Sequence, residues 1–308
     1  MRIFIASNVK PETVISADHR TKIFQYLADL WHYRDLFWAL VERDVKVRYK
    51  QTVLGVLWVI VPPLLLSGVF SIIFVRVVKM PTQDLPAPLF FLAALIPWTC
   101  FSNGLSQAAG SMESGAGLIS KVYFPRLIVP GAMLLATVVD FVIGWVFFNI
   151  VAILWTYFPS LLAALTEGGT AEAPVKAFWT WKFIPFTVVL LCLQLCTAMG
   201  IGVVLAVLNA QYRDVRYVTP MLVQFAFWVT PVVWPVQRFL ETRYGDSLNI
   251  LLYLNPMAGV IETYRALLAE GSYIPFRMLA ANFCVAAGLL AFGIWFFRKR
   301  EQRLVDFL

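Results

Sequence analysis

The feature that most constrains this chain is a series of apolar runs, each long enough to cross a hydrocarbon layer. At ~1.5 Å per residue, a bilayer core of about 30 Å needs roughly 20 apolar residues in a helix. Runs of this kind occupy residues 54–75, 88–106, 127–157, 183–208, 217–236 and 279–297. The expectation is an all-α integral membrane protein with six transmembrane helices. The third run is so long that its helix must tilt, project or break, and Pro130 near its start is one place for a bend. Pro231 and Pro235 interrupt the fifth. The stretch that follows, SLNILLYLNPMAGVIETYRALLAEG, is too apolar for a free loop yet carries Glu262 and Arg265, so a re-entrant helical hairpin buried against protein is expected before the last span.

Composition agrees. Apolar residues make up 60% of the 308 positions and charged residues only 14%, which excludes a disordered regulator and argues against a soluble enzyme with an ordinary polar surface. The only run of apolar residues in the first twenty positions, 3–6, is too short for a secretory signal, so the N-terminus is expected to stay cytoplasmic. Six spans put both termini on one side. The loops on that side hold seventeen Lys and Arg against eight on the other, so the positive-inside rule makes both termini cytoplasmic. The net charge of +7 then follows from membrane orientation, and no nucleic acid is implied. The division expected is a cytoplasmic segment at 1–53, a single transmembrane domain at 54–297 and a cytoplasmic tail at 298–308. Cys100, Cys192, Cys196 and Cys284 lie in apolar runs and only His19 and His32 accompany them, so neither a disulfide framework nor a metal site is expected.

Residues 24–50 place Leu27, Leu30, Trp31, Phe37, Trp38, Val41 and Val45 near helical spacing, with charges between them. An N-terminal amphipathic helix lying at the membrane interface is expected, and anchoring is its plain role. A sharper reading is that Arg43, Lys46, Arg48 and Lys50 attract an anionic headgroup, such as a diphosphate on a lipid carrier arriving from the inner leaflet.

Several sequence words recur in one order: YRDLFWALVERDVKVRYKQTVLGVLW from 33, VPP at 61–63, IPW at 96–98, KVYFPRLIVP at 121–130, LNAQYRDVRYVTP at 208–220, FWVTPVVWP at 227–235 and LNPM at 254–257. In order and spacing they resemble the polysaccharide-export permeases of type-2 ABC transporters, across most of residues 33–265. The resemblance implies an inner-membrane, multi-pass permease that forms a homodimer, recruits two separate ATPase subunits and exports a lipid-linked polysaccharide of the O-antigen, capsule or teichoic acid type. The chain contains no Gly-Lys dipeptide and therefore no GxxxxGK[ST] phosphate loop. No cofactor is expected on it, and ATP and Mg belong to the partner ATPase. The segment 110–126, with a short amphipathic piece at 111–120, stands where the resembling family has its coupling helix, which points to Ser111, Glu113, Ser114, Leu118, Ile119 and Lys121 as ATPase-coupling residues. Arg213 and Asp214 in the 212–217 loop join them, either touching the ATPase or bracing helix ends.

Aromatic residues make up 15% of the chain. Phe70 and Phe74 are one turn apart on the first span, and Trp98 and Phe101 are three residues apart on the second. With Trp58 and the polar residues Ser67, Ser71 and Asn103, they are the candidate substrate route, since sugar rings pack their C–H faces on aromatic planes. Any single such ring is ordinarily a packing or lipid-facing residue, and only the set carries the reading. Trp234, Tyr253 and Tyr264 are assigned to an outer gate. Asp140 is an acid well inside an apolar span, for which structural pairing or hydration is favoured over ion coupling. Among alternatives, an integral-membrane glycosyltransferase would need an outer-loop acid, where residues 76–87 offer only Asp84, and a secondary transporter would show repeats or several intramembrane charges. A drug- or lipid-exporting ABC permease is the other competitor.

Overall fold

The computed structural model describes residues 23–50, 55–83, 85–119, 121–158, 183–236, 245–268 and 274–301. These residues form helices and connecting turns, with no strand among them. In chain order the helices are α1 (Ile23–His32), α2 (Arg34–Tyr49), α3 (Leu57–Phe70), α4 (Ala87–Ser114), α5 (Ala116–Ile119) and α6 (Ile128–Tyr157). They continue as α7 (Phe183–Gln211), α8 (Val215–Val229), α9 (Gly245–Leu254), α10 (Ala258–Ala266) and α11 (Phe276–Arg300). The parts of the expected segments at 1–22 and 302–308 lie outside the described residues.

Among the described residues, five helices are long and apolar enough to cross a membrane: α3 with its continuation to Val77, α4, α6, α7 from Pro185, and α11. The fifth expected span is shorter than its apolar run. Helix α8 has 15 residues and ends at Thr230, where the backbone turns extended before Pro231, and residues 231–235 form turns. The third span, by contrast, is one unbroken helix of 30 residues. Pro130 sits in its first turn, where its missing N–H has no intrahelical partner to lose. The first span widens near its end into a π-helical stretch, Ser71–Val77, closed by Val78 N–H donating to the Ile73 carbonyl at 3.0 Å.

Helix α4 is the axis. Its apolar stretch is 78% buried, against 17% for α3 and for α11, because α3, α6, α7, α8 and α10 all pack around it. The outer helices therefore keep apolar faces for lipid or another subunit. Where α7 meets α11 the approach is backbone to backbone: a Cβ on Gly200 would lie 2.6 Å from the main chain of Leu289 and Leu290, and one on Gly293 would strike the Gly200 carbonyl.

The single interfacial helix expected over 24–50 is instead two, broken at Tyr33. Their apolar residues serve two surfaces. Tyr26, Leu40 and Val41 are buried in a cluster with Met112, Ile119, Phe124, Ile128 and Phe297, so α1 and α2 dock on the same end of the bundle as α5, the basal end. Trp31 and Trp38 remain exposed. The basal end is also tied by Glu301, whose carboxylate accepts from the Tyr26 hydroxyl at 3.3 Å and from the Arg126 N–H at 2.9 Å, while the Arg126 guanidinium donates to the Glu301 carbonyl. Burial holds both the Glu301 carboxyl and the Tyr26 phenol above their ordinary pKa values.

At the opposite end, α9 and α10 form the expected hairpin, turned at Asn255 and Pro256. Asn282 of α11 pins it, donating to the Tyr253 carbonyl at 2.8 Å and accepting from the Gly259 N–H at 2.7 Å. Arg265, fully buried, donates to the carbonyls of Pro231 (2.8 Å), Val232 (2.7 Å) and Trp234 (3.3 Å), pairs with Glu262 at 3.1 Å, and lies 3.7 Å over the Phe90 ring.

The close crossing yields a graded expectation. Gly200→Ala should destabilise by about 1–3 kcal/mol, since backbone must move to admit the methyl group. Gly288→Ala on α11, with no atom within 4 Å of the added carbon, should be neutral. Heat-induced aggregation of the detergent-solubilised protein reads the difference, and equal behaviour of the two variants would refute the packing argument.

Candidate functional site

A cavity of about 370 Å³ opens between α3, α4 and α6, with the C-terminal end of α2 at its rim. The sequence builds it from local requirements. Helix α3 presents Trp58, Val59 and the Pro62–Pro63 pair, and α4 presents Thr99 and Asn103. Helix α6 contributes Phe141, Gly144 and Asp140. The Asp140 carboxylate accepts from both the Arg48 guanidinium and the Tyr49 hydroxyl, which clamps α2 against α6. Burial and the bond to Asp140 raise the pKa of the Tyr49 phenol, so it stays protonated and donates. An acid in an apolar span thus has its partners supplied by the interfacial helix, in line with the pairing expected for it.

The cavity brings together residues taken from two separate expectations: Arg48 from the headgroup set, and Trp58 and Asn103 from the route set. Its chemistry is mixed, with an aromatic wall, amide and hydroxyl groups, and one cation held by one acid.

The other route residues lie elsewhere. Phe70, Trp98 and Phe101 are buried: Phe70 and Phe74 pack against Phe91 at 5.6 and 6.4 Å, Trp98 against Phe227 at 5.6 Å, and Phe101 against Trp98 at 5.4 Å. Within the subunit these rings fasten α3 and α8 to α4. The hydroxyls of Ser67 and Ser71 donate to the carbonyls of Leu64 and Ser67 on their own helix.

Of the basic set, Arg43 pairs with its neighbour Asp44 at 2.7 Å, and Lys46 with Glu42 at 2.5 Å, a contact that lowers the Glu42 pKa through its hydrogen bond and charge. Lys50 is exposed and has no ion pair among the described residues.

The expected coupling segment divides. Residues 111–114 belong to the end of α4, and only α5 forms a separate turn. Ser111 and Ile119 are buried within the subunit, Leu118 is half-buried, and Ser114 and Lys121 are exposed. Glu113 forms an ion pair with Arg216. Arg213 and Asp214 are exposed in the loop before α8. Of the outer-gate residues, Tyr264 is buried with its ring 5.0 Å from that of Trp145, whereas Trp234 and Tyr253 are half-buried. The Trp234 indole donates to the Trp228 carbonyl at 3.1 Å. Tyr49, Arg216, Arg126 and Glu301 were not singled out from the sequence. The first three lie inside recognised sequence words, which was the available signal, while Glu301 carries none.

Several of the described helices are long and apolar enough to cross a membrane, and Asp140 on one of them is paired with Arg48 and Tyr49 of α2. A model of the ABC-2 type transporter family matches residues 35–269, and the chain belongs to that family. Similar proteins include the O-antigen export system permease protein RfbA of Myxococcus xanthus, 25% identical over 92% of this chain and 99% of the relative. The polysialic acid transport protein KpsM of Escherichia coli is 25% identical over 87% of this chain and 94% of its own length. The capsule polysaccharide export inner-membrane protein CtrC of Neisseria meningitidis is 23% identical over 79% and 89% respectively.

The clamp at the cavity rim predicts an ordering of variants. Asp140→Ala strands Arg48 in a partly buried position and should cost about 1–3 kcal/mol, discounted from the fully buried case because both groups retain some exposure. Asp140→Ala with Arg48→Ala should cost less than Asp140→Ala alone. Thermal midpoints of the purified protein test this, and a double variant less stable than the single one would contradict it.

Proposed function

We propose that this chain is the membrane permease of an ATP-driven exporter that carries a lipid-linked polysaccharide from the cytoplasmic to the outer side of the inner membrane. The observation that carries the reading is the similarity, over most of this chain and nearly the whole of each relative, to permeases named for O-antigen and capsule export. The chain has no phosphate loop of its own, so hydrolysis falls to two ATPase subunits against the basal end, where α5 and the 212–217 loop are exposed in part. Both termini are cytoplasmic in this reading, by the excess of Lys and Arg on that side. Helix α8, about 22 Å long, completes a sixth crossing together with the turns at 231–235.

The working unit is a homodimer. The outward apolar faces of α3 (Leu57, Leu65, Val69) and α8 (Met221, Phe225, Trp228) are open to a second copy, and α8 also carries the aromatic rings that polymer would slide along. The carrier's anionic headgroup arrives at Lys50 and Arg48, and the first sugars lie in the neighbouring cavity against Trp58 and Asn103. In this role Phe70, Phe74, Trp98 and Phe101 act as the rigid backing of the route, and Trp234 and Tyr253 stand near its outer mouth.

Deleting the gene should abolish surface polysaccharide and leave lipid-linked glycan inside the cell, while the purified permease alone should hydrolyse no ATP and gain turnover with its co-purifying ATPase subunit. Unchanged surface polysaccharide in the deletion strain, measured by immunoblot of surface glycan, would overturn the proposal.

A further inference from the structure

We infer that the Glu113–Arg216 ion pair is the link by which motion at the coupling end of α4 reaches helix α8, a positioning role that rests on the exporter reading above. Three observations lead to it. First, the pair joins the two basal segments singled out separately in the sequence, the 110–126 region and the 212–217 loop. Glu113 is the penultimate residue of α4 and Arg216 the second residue of α8, so each sits on the end of a rigid rod.

Second, the corner after Glu113 is tight. A Cβ on Gly115 would lie 2.9 Å from both the Ser111 carbonyl oxygen and the Val129 side chain, and the Gly115 N–H donates to the Ser111 carbonyl at 2.9 Å. A push delivered to α5 is therefore handed to the end of α4 with little room for the corner to absorb it.

Third, α8 is held at its ends more than along its length. Among its own residues only Thr219 is buried, while Tyr217, Met221 and Phe225 are 75%, 70% and 69% exposed. Inward attachment along the helix comes from Val215, Val223, Ala226 and Phe227, the last of these against Phe70 and Trp98. At the far end, Thr230 accepts from Asn255 at 2.9 Å and the next carbonyls accept from Arg265. A helix fixed this way moves as a lever when one end is displaced. The neighbouring polar tie, Asn209 donating to the Ala109 carbonyl at 2.8 Å, joins α7 to α4 and leaves α8 to the ion pair.

Both groups keep solvent exposure, 29% for Glu113 and 58% for Arg216, so the pair contributes little to folding stability. That separates a positioning role from a structural one. It also distinguishes the inference from the simpler idea that Glu113 touches the ATPase directly: here its carboxylate is turned to α8 of its own subunit.

The test uses the full permease–ATPase complex in cells and in proteoliposomes, with Glu113→Lys, Arg216→Glu, and the exchange Glu113→Arg with Arg216→Glu. Permease abundance, ATP turnover and surface polysaccharide are measured together, and the last two are normalised to assembled complex. Each single reversal should lower export about tenfold while ATP turnover stays within about twofold, and the exchange should recover most of the export, as expected for two residues in contact. Wild-type export by either single variant, or no recovery by the exchange, would overturn the link. Loss of ATP turnover in step with export would also overturn it, by showing a direct ATPase contact. A wild-type complex that moves no polysaccharide would instead sink the exporter reading itself.

Discussion

Where α8 stops at Thr230, backbone buried within the subunit must find partners without water, and Arg265 supplies them. An unpaired carbonyl in hydrocarbon costs several kcal/mol, which is why irregular backbone survives there only when protein encloses it. The Arg265 guanidinium spreads its donors over the carbonyls of residues 231, 232 and 234, and Glu262 balances its charge while also accepting from the Val236 N–H at 3.4 Å. A fully buried arginine is tolerable because nearly every donor is used and the Phe90 ring lies against it. The α9–α10 hairpin, pinned by Asn282, exists to deliver that side chain to the break. Without it the short helix α8, the hairpin and the top of α4 would lose the side chain that touches all three.

The basal end solves a different problem by the same means. Asp140, Glu113 and Glu301 each meet a cation or donor brought from a distant part of the chain, so the basal end is knitted by charge. The distal end is knitted by an enclosed arginine. Between them lies the aromatic and aliphatic packing around α4. The subunit is thus stiff in its middle and adjustable at the interface, where water weakens each ion pair.

Much of this architecture could be read from the chain. Run length and hydropathy are local properties, so the third span was placed within a residue of Ile128–Tyr157, and the Asn255–Pro256 break within an apolar stretch was enough for a hairpin. The split of the N-terminal helix at Tyr33 gave no warning, because neither Pro nor Gly marks it. Aromatic richness was plain, but which rings face one another depends on helix rotation, and Phe70, Trp98 and Phe101 turned out to pack together. Asp140 could be recognised as needing a partner. That the partner is Arg48, 92 residues earlier, is a property of the fold.

The three-way contact of Tyr26, Arg126 and Glu301 carries a consequence for how the subunit is made. Glu301 follows the last span, 275 residues after Tyr26, so its carboxylate reaches the basal surface only when α11 is in place. Helix α1 is made before α11 and acquires this fastening only once α11 has been made. Until then Tyr26 lacks its carboxylate partner, and α11, once placed, fastens α1 and the turn at Arg126 together through a single residue.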